Sequence, residues 1–340
     1  MNDRTAVIVT SIHAPTVSMQ ALARGCIDHG FELIVVGDTA SPEEFPLHGC
    51  NFFDVAAQRA SGFAWATECP PRRYARKNFG YLVAIRNGAG LILETDDDNC
   101  PQPGFFASRH RQFCGPVLDH ADWVNIYRYF HDDLTWPRGL PLDCVHTPLP
   151  PFEDVPAMDT DCPIQQGLTD AQPDIDAIYR ALFPLPLTFR ADRRIALGRG
   201  SWCPFNSQNT AWWPDAYPLL YLPAWCSFRM TDIWRSLVAQ RIGWENGWRV
   251  LFHEPTMSHD RHPHDLLADF ADEVPGHLHN RRIAAALSAL PLLAGVAHIA
   301  ENMRRCYGAF VELDVLPPQE LALLECWLAD LTALTRTTRG

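Results

Sequence analysis

The sequence predicts an α/β protein: a mostly parallel sheet flanked by helices and followed by a helical C-terminal segment. Three observations carry this. Two apolar runs, at residues 6–10 and 33–36, flank a stretch of helical periodicity. A second helical stretch, 76–87, leads straight into a third apolar run at 91–93. From about residue 275 onward Ala and Leu dominate and the prolines thin out. Strands that read as continuous apolar runs, alternating with helices, belong to sheets covered on both faces.

In chain order, Ala6-Val7-Ile8-Val9-Thr10 is the first strand, and Met19, Leu22, Ala23, Cys26 and Ile27 repeat at helical spacing until His29-Gly30. Leu33-Ile34-Val35-Val36 closes a β-α-β unit at Gly37-Asp38-Thr39. Phe79, Leu82, Val83 and Ile85 mark the next helix, which Asn87-Gly88-Ala89-Gly90 stops. Leu91-Ile92-Leu93 then runs into Glu94-Thr95-Asp96-Asp97-Asp98. A strand is expected at 123–129, an irregular region at 135–173, and a helix through Met230, Ile233, Trp234, Leu237 and Val238. The expected division is a body over 1–270, with halves 1–125 and 126–270, and a helical segment over 271–340 packed on it.

Composition narrows the function. With 28 basic against 40 acidic side chains, net −12, and no Lys/Arg run, neither nucleic acid nor an anionic membrane is an expected partner. The eleven cysteines are scattered singly, without zinc or redox spacing, so reduced thiols and a cytoplasmic location are expected. The N-terminus carries no signal-peptide pattern. Residues 283–300 lack a formal charge but are rich in Ala and contain Pro291 and Gly295, so they read as packed helix and no transmembrane segment is expected. Ser11-Ile12-His13-Ala14-Pro15 follows the first strand instead of GxGxxG, and GxxxxGK[ST], GxSxG and HExxH are absent. Nicotinamide dehydrogenases, P-loop NTPases, nucleophile-elbow hydrolases and zincins thereby lose their main support.

Parallel sheets place ligands beyond the carboxyl ends of their strands, where Thr10, Ser11, Asp38 and Asp96-Asp97-Asp98 fall. Three adjoining carboxylates repel unless a cation lies among them. Asp96 and Asp98 point the same way in an extended segment and suit Mg²⁺ or Mn²⁺, with Asp97 supporting a bound donor. A solvated acidic turn is the alternative. Strand-terminal Asp-x-Asp is how GT-A glycosyltransferases hold a nucleoside diphosphate. Arg72, Arg73, Arg76 and Lys77 put four cations into six positions at a helix start, an anion site to which Arg76, Lys77 and Asn78 would contribute, unless it is only a solvated helix end. Six of fourteen histidines fall between His253 and His279, and one imidazole, His259, is the candidate third metal ligand. Asp232, in the first turn of its helix, would cap that helix or serve as general base, with Arg229 one turn earlier orienting it. Trp136, Arg138, Asn206, Gln208 and Asn209, in loop-like segments, are candidates for the acceptor side or for bracing loops.

Arg76-Lys77-Asn78-Phe79-Gly80-Tyr81, Asp96-Asp97-Asp98, Trp136-Pro137-Arg138-Gly139, Gln165-Gln166-Gly167-Leu168, Asp174-Ile175-Asp176, Pro204-Phe205-Asn206-Ser207-Gln208-Asn209-Thr210 and Ser227-Phe228-Arg229 with Asp232 occur in this order. Over about residues 5 to 265 these strings resemble the STELLO family of probable glycosyltransferases. More weakly, Asp96-Asp97-Asp98 and Arg229-x-x-Asp232-x-Trp234 are similar to the reversibly glycosylated polypeptides, which are UDP-arabinopyranose mutases. The resemblance implies a GT-A-like nucleotide-diphospho-sugar transferase fold, a UDP-sugar donor and a divalent metal (Mn²⁺ or Mg²⁺). The function expected is metal-dependent, inverting transfer of a hexosyl or pentosyl unit to a carbohydrate or other hydroxyl-bearing acceptor. A nucleotide-sugar mutase and a catalytically silent scaffold are the alternatives. A homo-oligomer is compatible with this reading.

Overall fold

A computed structural model describes residues 4–259 and 265–337. The first half comprises β1 (Thr5–Thr10), α1 (Val17–His29), β2 (Glu32–Val36), β3 (Cys50–Phe53), α2 (Val55–Ala60), α3 (Ala64–Glu68), α4 (Lys77–Arg86), β4 (Leu91–Thr95), β5 (Asn99–Pro101) and β6 (Gln112–Leu118). It continues with β7 (Ala157–Asp161), β8 (Ile164–Asp170), α5 (Ala177–Leu182), β9 (Arg194–Leu197), β10 (Asn209–Trp212), α6 (Thr231–Glu245), β11 (Val250–His259), α7 (Leu266–Ala289), α8 (Ile299–Glu312) and α9 (Gln319–Thr337).

One sheet runs β3-β2-β1-β4-β10-β8-β11-β9-β6-β7, with β5 paired to β11. Its first four strands are parallel, as the sequence predicts. Antiparallel β10 then joins them to a second half in which β8 and β11 are parallel. This α/β arrangement, flanked by helices and followed by a helical C-terminal region, is consistent with the GT-A-like class.

Local chemistry accounts for the elements. Ala6 to Val9 are fully buried because β1 lies between β2 and β4 with helices on both faces. Each such Val or Ile contributes about 1.5–3 kcal/mol by burial. The Thr16 hydroxyl accepts from the Met19 N–H to open α1, and Gly30, at φ 68°, closes it in the left-handed region. Gly80 lets α4 settle onto the sheet: a Cβ there would meet Ile8 Cγ2 at 2.5 Å and Val36 Cγ2 at 2.9 Å. Within the buried interior, Arg235 of α6 forks onto Glu94 of β4 with both contacts at 2.8 Å, and the Trp212 indole donates to the same carboxylate. This buried pair ties the two halves of the chain together.

Three expectations change. Residues 123–129 form an isolated bridge from Trp123 to Trp202 and a 3₁₀ turn at Ile126–Tyr129, not a strand. The region 135–173 contains β7 and central strand β8. β8 escapes an apolar pattern because its buried Gln165 and Gln166 amides bond to backbone carbonyls. The last helical segment begins at Leu266 and shares one hydrophobic cluster with the sheet, running from Ala6 to Leu331. Glu320 of α9 accepts from the Ala224 and Trp225 N–H groups, and Asp330 from those of Ala64 and Trp65, so α9 is stitched to the body. No helix among the described residues is long and apolar enough to cross a membrane. All eleven cysteines are free.

Candidate functional site

Because β1, β2 and β4 are parallel, their carboxyl ends open on the same edge of the sheet. A cavity of about 710 Å³ lies there. Thr10, Ser11, Asp38, Arg76, Asp96, Asp97, Asp98, Arg138, Gln208, Arg229, Asp232 and His259 of the sequence-derived candidates line it. Five others do not. Lys77 lies behind it, fully buried, with Nζ donating to Asp96 Oδ1 at 2.8 Å and to Tyr74 at 2.7 Å. Asn78 exchanges two hydrogen bonds with the Leu222 backbone, and Trp136 packs edge-on against Tyr179 and Phe183. Asn206 accepts from the Gln208 N–H, and Asn209 bonds Leu168 and Thr256. Their amides are consumed by the scaffold, which is what Asn and Gln do once a loop is buried.

The four cations of the 72–77 string divide by depth. Arg76 is buried, donates to Gln58 and to the Cys69 carbonyl, and sits 3.4 Å from Asp38. Asp38 also accepts from the Arg73 N–H, so it anchors this segment to the end of β2. Arg72 and Arg73 are exposed on the cavity wall. They are the cations placed to meet an anion entering from solvent.

The acidic cluster is held from several directions. Asp97 accepts from the Ser11 hydroxyl at 2.6 Å, and its carbonyl from Thr16. Asp96 Oδ1 accepts from the Tyr74 hydroxyl at 2.6 Å as well as from Lys77. Burial pushes both carboxyls up; Lys77 opposes this at Asp96 and the Ser11 hydroxyl at Asp97, while Asp98 adds to it at each. Asp98 Oδ2 lies 2.8 Å from Nε2 of His259. The other ring nitrogen lies 2.8 Å from both the Gln172 carbonyl and the Gln208 amide nitrogen. Asp96 and Asp98 offer oxygen donors and His259 a nitrogen, the donor types a divalent cation takes, but the three do not gather their ligand atoms within 4.8 Å of one another. Asp260 to His264, the rest of the histidine-rich loop, lie outside the described residues.

The opposite wall carries Asp232, held on the N-terminal turn of α6. Its partner is Arg138, not the Arg229 expected from sequence: Nη1 and Nη2 of Arg138 lie 3.1 Å from the two carboxylate oxygens. Arg138 also forks onto Asp174 at 2.7 Å. Burial works to raise Asp174, but Arg138 and Arg229 hold its carboxyl well below the usual range. Arg229 turns to Glu273 of α7, with contacts of 2.6 and 2.7 Å. Asp232 further accepts from the N–H and hydroxyl of Ser207, and Ser207 Oγ lies 2.6 Å from the Tyr74 hydroxyl. Tyr74 and Ser207 therefore join Asp96 to Asp232. Neither was singled out as a site residue by sequence reasoning. Ser207 stood inside a family string and Tyr74 inside the cation cluster, which is the signal that could have found them.

No protein-family model matches the chain. Probable glycosyltransferase STELLO1 of Arabidopsis thaliana is 27% identical over 351 residues, covering 96% of this chain and 44% of that protein. Probable glycosyltransferase STELLO2 of the same plant is 28% identical over 304 residues, covering 83% of this chain and 39% of that protein. The chain thus spans less than half the length of these curated relatives. A solved structure titled "Crystal Structure of a Mycobacterial Protein" aligns at 10% identity with a TM-score of 0.39, over 84% of this chain and 74% of that chain; this is too remote to bear on the fold. Over most of its length the chain is thus a relative of the STELLO family of probable glycosyltransferases.

Proposed function

We propose that this chain transfers a sugar from a nucleoside diphosphate donor, of the UDP class, to a hydroxyl-bearing acceptor with inversion at the anomeric carbon. The observation that supports it most is the meeting of the Asp96–Asp98 cluster and Asp232 on one cavity, joined through Tyr74 and Ser207. Asp96 and Asp98, with His259, would hold Mn²⁺ or Mg²⁺, which when bound offsets charge on the diphosphate leaving group. Arg72 and Arg73 meet the same charge from the cavity wall. Ser11, Asp38 and Asp97 face the nucleoside side.

Asp232 is the general base of this reading. Arg138 contacts both of its carboxylate oxygens and fixes its plane. It takes the acceptor hydroxyl proton while the acceptor oxygen bonds to the anomeric carbon and the carbon–oxygen bond to the diphosphate breaks, its electron pair leaving with the nucleoside diphosphate. Free thiols throughout agree with a cytoplasmic setting, which we include in the proposal.

The test is a panel of nucleotide sugars with Mn²⁺, scored for nucleoside diphosphate release with and without acceptors, with product configuration read by NMR. Acceptor-dependent release with inversion supports the proposal. Isomer interconversion without release, or retained configuration, overturns it.

A further inference from the structure

Behind Arg229, away from the cavity, lies a second cluster of ligand-type groups. Among the described residues, Asp176, Glu273 and His277 are the one group of three His, Cys, Asp or Glu side chains whose ligand atoms lie within 4.8 Å of one another. None of them lines the cavity. Glu273 and His277 are four residues apart on α7, so they project from one face of the helix. Asp176 comes from the residue ahead of α5, where its Oδ1 accepts from the Ile178 N–H. In the sequence Asp176 stands only within the Asp174-Ile175-Asp176 string.

The cluster is incompletely bonded. Asp176 is fully buried, and its Oδ2 has no hydrogen-bond partner; neither has Nε2 of His277. These two atoms face each other at 3.6 Å, too far for a hydrogen bond. Two ligands on one tetrahedral ion at about 2.1 Å stand about 3.4 Å apart, so 3.6 Å is the separation expected across a metal. Glu273 contributes the third group: Oε2 accepts from the Ala177 N–H, while Oε1 takes Arg229. Charge points the same way. Glu94, Asp174, Asp176, Asp232 and Glu273 are five buried carboxylates, and Arg138, Arg180, Arg229 and Arg235, the guanidinium groups that act on them, are four.

We propose that Asp176, Glu273 and His277 form a second divalent-cation site, which pins α7 to the start of α5. Two carboxylates and an imidazole suit Zn²⁺, which binds nitrogen–oxygen sets more tightly than Mn²⁺ or Mg²⁺. Water supplies the fourth ligand, since the His277 side chain is 16% exposed. Glu273 would bridge the ion and Arg229, so the ion would steady the arginine that lines the cavity wall.

The experiment uses the intact chain carrying Asp96→Asn and Asp98→Asn, which removes the other candidate metal site. Equilibrium dialysis against Zn²⁺ followed by metal analysis should find one ion per chain. Adding His277→Gln or Asp176→Asn should weaken binding by about 100-fold or more, because loss of even an outer partner of a ligand costs 10–100-fold. Zn²⁺ should raise the thermal unfolding midpoint of the Asp96→Asn, Asp98→Asn parent and leave that of the ligand variants unchanged. No zinc taken up by the parent at saturating concentration, or unaltered affinity in His277→Gln, overturns the proposal. Where the ligand variants do not fold, Co²⁺ titrated into the parent decides: the visible bands of four- or five-coordinate cobalt support the site, and an octahedral aqueous spectrum overturns it.

Discussion

Arg138 meets Asp232 side-on, with its two terminal nitrogens each 3.1 Å from one carboxylate oxygen. The 93 residues between them include four strands and helix α5, so only the closed fold brings the pair together. A guanidinium in that position fixes the carboxylate in plane, which is what a positioned base requires.

Asp232→Asn should therefore lower turnover by about 100-fold or more with donor affinity unchanged. Asp232 does not cap α6, whose N-cap is Met230 without a side-chain bond, so a purely structural role would show as lost stability with turnover near normal. Steady-state kinetics beside calorimetric donor binding separates the two.

Arg138→Gln should be costlier to the fold than to the chemistry. Removing the arginine takes from buried Asp174 and Asp232 the guanidinium that bonds both, a loss of about 3–5 kcal/mol. Denaturant unfolding should show it, and a fully stable variant would refute this account of the network.

Asp98→Asn should abolish metal-dependent donor binding while the fold persists, since removing one of three clustered charges relieves repulsion; Asp96→Asn should abolish it too, at a cost in stability, because it leaves the buried Lys77 ammonium without its carboxylate. Titration of a nucleoside diphosphate with and without Mn²⁺ checks it. Undiminished metal dependence in both variants would place the cation elsewhere.

Depth should separate two neighbouring cations. Arg73→Ala, on the exposed wall, should weaken nucleoside diphosphate binding by about 1–3 kcal/mol at unchanged stability. Lys77→Ala should instead lower the unfolding midpoint, because it strips buried Asp96 of its ammonium partner. Equal effects on binding from both would contradict the burial pattern.

Stability should bend at two pH values, with opposite signs. Asp174 is held below the ordinary Asp value of about 3.9, so its contribution is complete above that pH and disappears as pH falls further. Burial raises Glu320, so the native state binds a proton that the unfolded chain releases near pH 4.3. Its contribution is greatest below about pH 4.3 and declines as pH rises to the native value. Thermal midpoints across pH 3–8 should show both limbs, and Glu320→Gln should shrink only the upper one, to which the raised Asp96, Asp97 and Asp330 also contribute.

The sequence by itself determined the elements whose cause is local. Apolar runs and helical spacing mark β1, α1, β2, α4, β4 and α6, since a strand or helix buried on a given face must repeat at 2 or about 3.6 residues. The carboxyl ends of those strands then put Ser11, Asp38 and the Asp96–Asp98 cluster on one edge before any contact is known. The same logic fails for β8, whose buried glutamines satisfy themselves through carbonyls that come close only on folding. Tertiary structure alone decided which cation serves which carboxylate. Spacing along α6 suggested Arg229 for Asp232, yet Arg229 reaches Glu273 and Arg138 arrives from 94 residues away. It also decided that Lys77, Asn78, Asn206 and Asn209 are interior groups, and that Asp176 meets Glu273 and His277. Side-chain pairing depends on distances across the fold, and those are set by which helix closes on which strand, an outcome no window of residues contains.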